Sequence, residues 1–169
     1  MANAYDVTIR PYREGDHVAV AETFTRAIHE IGIEAYTRAQ CLAWSDIRPN
    51  PDYWRERCER MRPWIAEACG PPPEVAAFLE LEPDGHIHCA YTHPDFARRG
   101  VMTTLASHAV AHCRAAGLPR VYVEASLHMR PLMHKLGFAV TEERMAEIRG
   151  ERLRNFRMEL VLQGSGRSN

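Results

Sequence analysis

Neither sign of charge dominates this chain: 21 Lys and Arg stand against 22 Asp and Glu, a formal net charge of -1. Proteins that grip nucleic acid generally carry a basic excess, so no nucleic-acid partner is expected. There is no long apolar run and no secretory pattern, which removes the membrane and points to the cytoplasm. The cysteines (Cys41, Cys58, Cys69, Cys89, Cys113) are odd in number and form no CxxC pair, as in chains kept reduced. Nine histidines invite a metal, and His86-x-His88 is the closest pair. No cysteine or carboxylate cluster joins them at ligand spacing, so no metal is expected, and a metal-binding interaction module is only a rival reading. Repeats, low-complexity stretches and linkers are absent too. At 169 residues, 46% hydrophobic and 25% charged, the chain can bury one good core and hardly two. One domain over 1–162 and a flexible tail over 163–169 are expected.

Neither of the two common glycine-rich phosphate loops is present, since nothing matches GxxxxGK[ST] or GxGxxG. What is present is His93-Pro94-Asp95-Phe96-Ala97-Arg98-Arg99-Gly100-Val101, between an apolar run (Ile87 to Thr92) and a helix-patterned run (Met102 to Ala116). A strand therefore leads into a basic turn that opens a helix. That layout aims backbone N–H groups and a helix N-terminus at one point, as phosphate sites do. Arg98 and Arg99 add charge-assisted donors for phosphate oxygens.

This turn resembles the acyl-CoA loop of the GNAT superfamily of N-acetyltransferases, in which a strand ending in His-Pro-Asp-aromatic leads to [Q/R]xxGx[G/A]. Ala77 to Ile87 is similar to the family's hairpin between the third and fourth strands. Pro131 to Phe138 is similar to its later motif ending in Gly-Phe. Tyr36 with Ala43-Trp44, Val123 to Ser126, and Arg149-Gly150 with Asn155, Phe156 and Met158 look like a less characterised bacterial branch. The resemblance implies an α+β (mixed α/β) fold: a single GNAT-like domain with a twisted mixed central sheet of six to seven strands flanked by helices. It implies acetyl transfer from acetyl-CoA to an amine of a small molecule or peptide, by direct attack in a ternary complex. GNAT-like domains often dimerise, so a homodimer is compatible with it.

The pattern along the chain fits such a sheet. Asp6 to Tyr12 reads as a strand, and Asp16 as the cap of a helix that Gly32 ends. Helical segments follow at Thr37 to Trp44 and Pro51 to Met61. Trp64 to Cys69, Val75 to Glu82 and His86 to Thr92 read as strands, the last two as a hairpin around Pro83-Asp84-Gly85. A long helix from Met102 stops at Gly117, a strand covers Arg120 to Ala125, and a short helix covers Met129 to Leu136. Phe138 to Thr141 and Arg152 to Val161 supply the last strands.

Carried over residue by residue, the resemblance implies cofactor contacts along the fourth strand at Ala90, Tyr91 and Thr92, as strand addition by a ligand. It implies diphosphate contacts at Arg98, Arg99, Gly100, Val101, Met102 and Thr103. Ala97 and Met102 depart from the family pattern, and Met102 avoids crowding the diphosphate only if it turns to the core. The Thr92 N–H is the family-like oxyanion donor. Met133 stands where many relatives carry a proton-donating tyrosine, with His128 and His134 as nearby substitutes. A thiol pKa of about 8.5 lets thiolate leave with modest help, whereas an amine near 10.4 needs a base. His88, on the side of Ala90, together with Glu80 and Glu124, are the candidates. Tyr36, Trp44 and Trp64, with Tyr53 and Trp54 nearby, offer an aromatic acceptor wall or simply core. The rival from another class is a non-catalytic acyl-CoA-binding sensor, which Ala97, Met102 and Met133 would suit.

Overall fold

Alternating and helical patterns translate into a sheet sandwiched by helices, described here over residues 6–162 of a computed structural model. The tail expected at 163–169 lies outside the described residues. The order is β1 (Val7–Pro11), α1 (Asp16–Arg26), α2 (Arg38–Trp44), α3 (Pro51–Met61), β2 (Trp64–Ala68), β3 (Glu74–Leu81) and β4 (His86–Thr92). Then come α4 (Val101–Ala115), β5 (Arg120–Ser126), α5 (Met129–Lys135), β6 (Ala139–Ile148) and β7 (Glu151–Val161). The seven strands form one sheet in the order β1-β2-β3-β4-β5-β7-β6. Every neighbouring pair is antiparallel except β4 and β5. No described helix is long and apolar enough to cross a membrane.

Strand alternation splits the core in two. Leu79, Ile87, Val121, Val123 and Phe156 face Leu105, Ala109 and Met133 of α4 and α5. On the other face Ile65 and Phe78 pack with Val20 of α1 and Trp54 and Cys58 of α3. All five cysteines are unpaired.

Three local expectations are corrected. Gly15, at φ 96, takes the N-cap position of α1, while the Asp16 carboxylate is drawn off to Arg10 at 2.7 and 2.9 Å and to the Arg13 N–H. Gly32 does not stop that helix. The chain continues through a π turn (Ala27–Ile31) and a 3₁₀ turn (Gly32–Glu34), with Gly32 at an ordinary φ of -57. The expected short strand after Phe138 is the ten-residue β6, joined to β7 through Arg149 and Gly150, both at positive φ as a type I′ hairpin turn requires. β6 is exposed along nearly its whole length, so it carries no apolar alternation to read.

Two backbone irregularities shape the site. β4 pairs with β5 only at His86↔Tyr122 and Ile87↔Val123, after which the two parallel strands part. The β3–β4 register also slips: Leu81 pairs Ile87 and Glu80 pairs Cys89, so His88 is the extra residue of a bulge. Beyond the bulge, the His93 N–H bonds the Ala76 carbonyl at 2.9 Å. Antiparallel alternation then turns the main-chain groups of Tyr91 and Cys89 toward β3. Those of Ala90 and Thr92 point into the opening beside β5.

Candidate active site

The opening between β4 and β5 continues into a cleft of about 320 Å³. One wall is β4 from Ile87 to Thr92. The opposite wall is Val123, Glu124 and Ser126 of β5 with His128, Met129 and Leu132 at the start of α5. Ala27, Ile28, Ile31, Tyr36 and Trp44 cover it, and Ala97, Arg98 and Met102 close the end toward the basic turn.

That turn is held from behind. Pro94–Phe96 forms a 3₁₀ turn, and the Arg26 guanidinium lies 2.9 Å from His93 Nε2 and 3.4 Å from Asp95 while bonding Glu30 at 2.6 Å. Arg98 adopts a left-handed φ of 61, uncommon for a side chain with a Cβ, and pairs with Glu34. Gly100 follows at φ 80 as the N-cap of α4, and a Cβ there would meet nothing within 4 Å. The first helical bond of α4 runs from the Thr104 N–H to the Gly100 carbonyl. The N–H groups of Val101, Met102 and Thr103 therefore lie ahead of the helical ladder, at the positive end of its dipole. Met102 lines the cleft and also packs on the core.

The three acid–base candidates separate. Glu80 is fully buried, does not line the cleft, and is clamped by Arg57 Nε and Nη2 at 2.7 and 2.6 Å; its place is structural. Glu124 lines the cleft, with one oxygen 2.5 Å from His86 Nε2 and the other 3.5 Å from Arg144 and 3.6 Å from Arg157. His88 also lines the cleft, but the bulge breaks the two-residue count that put it on Ala90's side. Ala90 packs on the α4-side core, whereas the His88 ring lies 5.5 Å from that of His86. His86 stacks on Tyr122 at 4.6 Å and 10°, and its Nδ1 is 2.5 Å from Glu82. Sequence reasoning missed this Glu82–His86–Glu124 bridge. The hairpin spacing was a signal for Glu82, but nothing local announces Glu124.

Of the aromatic candidates, Tyr36 and Trp44 line the cleft edge to face at 5.4 Å, and Trp44 continues to Tyr91 at 6.3 Å. The Tyr36 hydroxyl is committed: it donates to the Arg154 carbonyl at 2.8 Å and accepts the Leu127 N–H at 2.9 Å. Burial raises its pKa. Trp64 is not on the cleft, because its strand turns it to α4, where its ring packs on His108 at 4.6 Å and His112 at 5.8 Å. Burial also drives the Tyr91 phenol and the Cys89 thiol well above their ordinary ranges. Met133 is fully buried in the core, and His134 is exposed. His128 lines the cleft and its Nε2 is buried without a partner among the described residues.

An unpaired strand edge leading to a phosphate-type turn suits a long phosphorylated ligand that pairs like a strand, the layout of an acyl-CoA-dependent transferase. The comparisons agree. Residues 25–138 match the model of the acetyltransferase (GNAT) family, and the chain belongs to that family. It is 25% identical over 153 residues to the uncharacterised N-acetyltransferase YafP of Escherichia coli K12, covering 90% of this chain and 95% of that protein. A GCN5-related N-acetyltransferase from Rhodopseudomonas palustris superposes with a TM-score of 0.83 at 27% identity, over 92% of this chain and 96% of the other. The protein yncA of Salmonella typhimurium, solved with acetyl-CoA, gives 0.68 at 19% identity over 97% and 98%, a likeness of fold alone. The chain is thus an acetyltransferase that takes its acetyl group from acetyl-CoA. None of these comparisons favours the sensor reading.

Proposed function

We propose that the pantetheine arm of acetyl-CoA lies along the free edge of β4, with its diphosphate at Arg98 to Thr103 and its thioester at the vertex of the β4–β5 opening. The observation that carries this is the two-residue pairing of β4 with β5, which leaves the main-chain groups of Ala90 and Thr92 facing the cleft. Ala90 is nearer the vertex and Thr92 nearer the basic turn. The Ala90 N–H therefore takes the oxyanion role that sequence reasoning gave to Thr92, and Thr92 holds the arm.

The acceptor is an amine of a small molecule or peptide, entering between the Trp44–Tyr36 wall and Glu124. Aromatic faces beside a carboxylate suit a cationic or flat apolar group. Glu124 takes the proton as the amine nitrogen attacks the thioester carbonyl; the tetrahedral oxyanion collapses and CoA thiolate leaves. Cys89 is the thiol on the cleft wall, and its raised pKa keeps it a poor nucleophile, so transfer proceeds in a ternary complex rather than through an acyl-enzyme.

The test is release of CoA thiol from acetyl-CoA across a panel of primary amines and peptides. Saturation in both substrates with intersecting double-reciprocal lines is expected. Parallel lines would overturn direct attack, and failure of acetyl-CoA to bind at millimolar concentration would overturn the placement as a whole.

A further inference from the structure

We infer that Glu82, His86 and His88 form a site for a divalent cation of the zinc class at the edge of the cleft. Each offers one ligand atom, and the three atoms lie within 4.8 Å of one another. The β3–β4 hairpin brings Glu82 to the histidines, which is the carboxylate that linear spacing did not reveal. The bulge then places consecutive-but-one histidines together: Glu82 Oε2 is 2.5 Å from His86 Nδ1 and 3.9 Å from His88 Nδ1. Ligand atoms around a tetrahedral zinc with bonds near 2.0–2.1 Å stand roughly 3.3 Å apart. The Glu82–His86 pair need open by less than about 1 Å, the Glu82–His88 pair need close by less than that, and His88, whose ligand atom lies within 4.8 Å of the other two, need swing in by no more than about 1.5 Å.

Two features go beyond the mere cluster. Metal-bound histidines almost always give their second ring nitrogen to a carboxylate or carbonyl, which fixes the tautomer. His86 Nε2 has that partner in Glu124 at 2.5 Å, so its Nδ1 is left to face Glu82 and His88. The stack on Tyr122 further fixes the ring plane. Two imidazoles and one carboxylate also leave a coordination position open, as catalytic rather than structural zinc sites do. His88 also lines the cleft, so the site opens onto it.

The reading is tested on chelator-stripped protein by calorimetric titration with Zn²⁺ and by the absorption spectrum of the Co²⁺ form. One equivalent is expected, with a cobalt spectrum that lacks a thiolate charge-transfer band and so excludes the free cysteines. His88→Ala and Glu82→Gln should each weaken binding at least about tenfold, and Glu124→Ala about 10- to 100-fold through loss of the outer partner. His134→Ala, on the exposed side of α5, should bind as the parent does. Circular dichroism on each variant separates lost ligands from lost fold. No binding, or binding unmoved by both His88→Ala and Glu82→Gln in folded protein, overturns the site. Acetyl-CoA turnover is not the readout, so such a failure leaves the acetyltransferase reading intact.

Discussion

Glu80 and Arg57 form a two-pronged ion pair in which the carboxylate is wholly buried and the arginine side chain partly so. Arg57 beside the carboxylate is itself held charged, its pKa raised above the ordinary value. Removing one partner strands the other charge in the interior, which costs about 3–5 kcal/mol. Arg57→Ala should therefore lower stability by an amount of that order in urea denaturation. Glu80→Gln should also destabilise while leaving acetyl-CoA affinity nearly unchanged in folded protein. A folded Glu80→Gln variant with its activity reduced 100-fold or more would return Glu80 to the catalytic group.

Gly100 sits at a positive φ with open space where a Cβ would point. Gly100→Ala should cost about 1–2 kcal/mol of stability through backbone strain alone. Gly100→Glu should add to that strain a negative side chain in the space assigned to the diphosphate. Calorimetry should show acetyl-CoA binding weakened on the order of 100-fold, about 2.8 kcal/mol, with the circular dichroism of the parent. Unchanged affinity in folded Gly100→Glu would move the phosphates elsewhere.

Met133 stands where the family resemblance implies a tyrosine, yet its side chain is sealed in the core. Met133→Tyr should behave as an overpacking change of about 1–3 kcal/mol, and Met133→Leu should cost less than about 1.5 kcal/mol. Neither should raise kcat tenfold at pH 7.5. A gain larger than that from Met133→Tyr would show that thiolate departure limits turnover and that this turn of α5 reaches the sulfur.

Tyr122 donates its hydroxyl to Asp84 at 2.5 Å, which lowers the carboxyl's pKa and raises the phenol's. A depressed carboxyl pKa contributes stability that is present above the unfolded value near 3.9 and lost as pH falls through the folded one. The raised phenol contributes stability present below about 10 and lost as pH climbs through its folded value. Tyr122→Phe should flatten both arms of the stability–pH curve. Curves that superpose with the parent's after scaling at neutrality would show the contact to be inert.

What the sequence conveyed depended on whether the deciding interaction was local. The basic turn was legible because strand, glycine and helix start are neighbours in the chain, and β3 with β4 because their hairpin is short. Family likeness implied a ligand beside β4, but the parting of β4 from β5 was not legible, since the two strands are separated by the whole of α4. Trp64 was misplaced because strand alternation fixes which residues share a face, not which layer of helices that face meets. Glu80 was misjudged because its partner, Arg57, comes from a different helix. His88 was placed by counting twos across a bulge, the one local irregularity that makes such a count fail.

Glu124 is the cleft-wall carboxylate proposed to receive a proton from the acceptor, and His86 Nε2 lies 2.5 Å from one of its oxygens. A primary alkyl amine, with a pKa near 10.4, is almost wholly protonated at neutral pH, so removal of its proton is the harder half of the reaction. Glu124→Gln keeps the side chain's shape and its ability to accept a hydrogen bond from His86, but deletes the base. It should lower kcat about 10²-fold or more at neutral pH with a much smaller change in KM for acetyl-CoA. The deficit should narrow as pH rises, because a growing share of acceptor arrives already deprotonated and needs no base. A structural defect predicts instead a loss that is constant with pH and accompanied by weaker cofactor binding. The comparison therefore runs over pH 6.5 to about 9.5 with any amine that turns over, even a poor one. Activity within threefold of the parent across that range would remove Glu124 from the reaction.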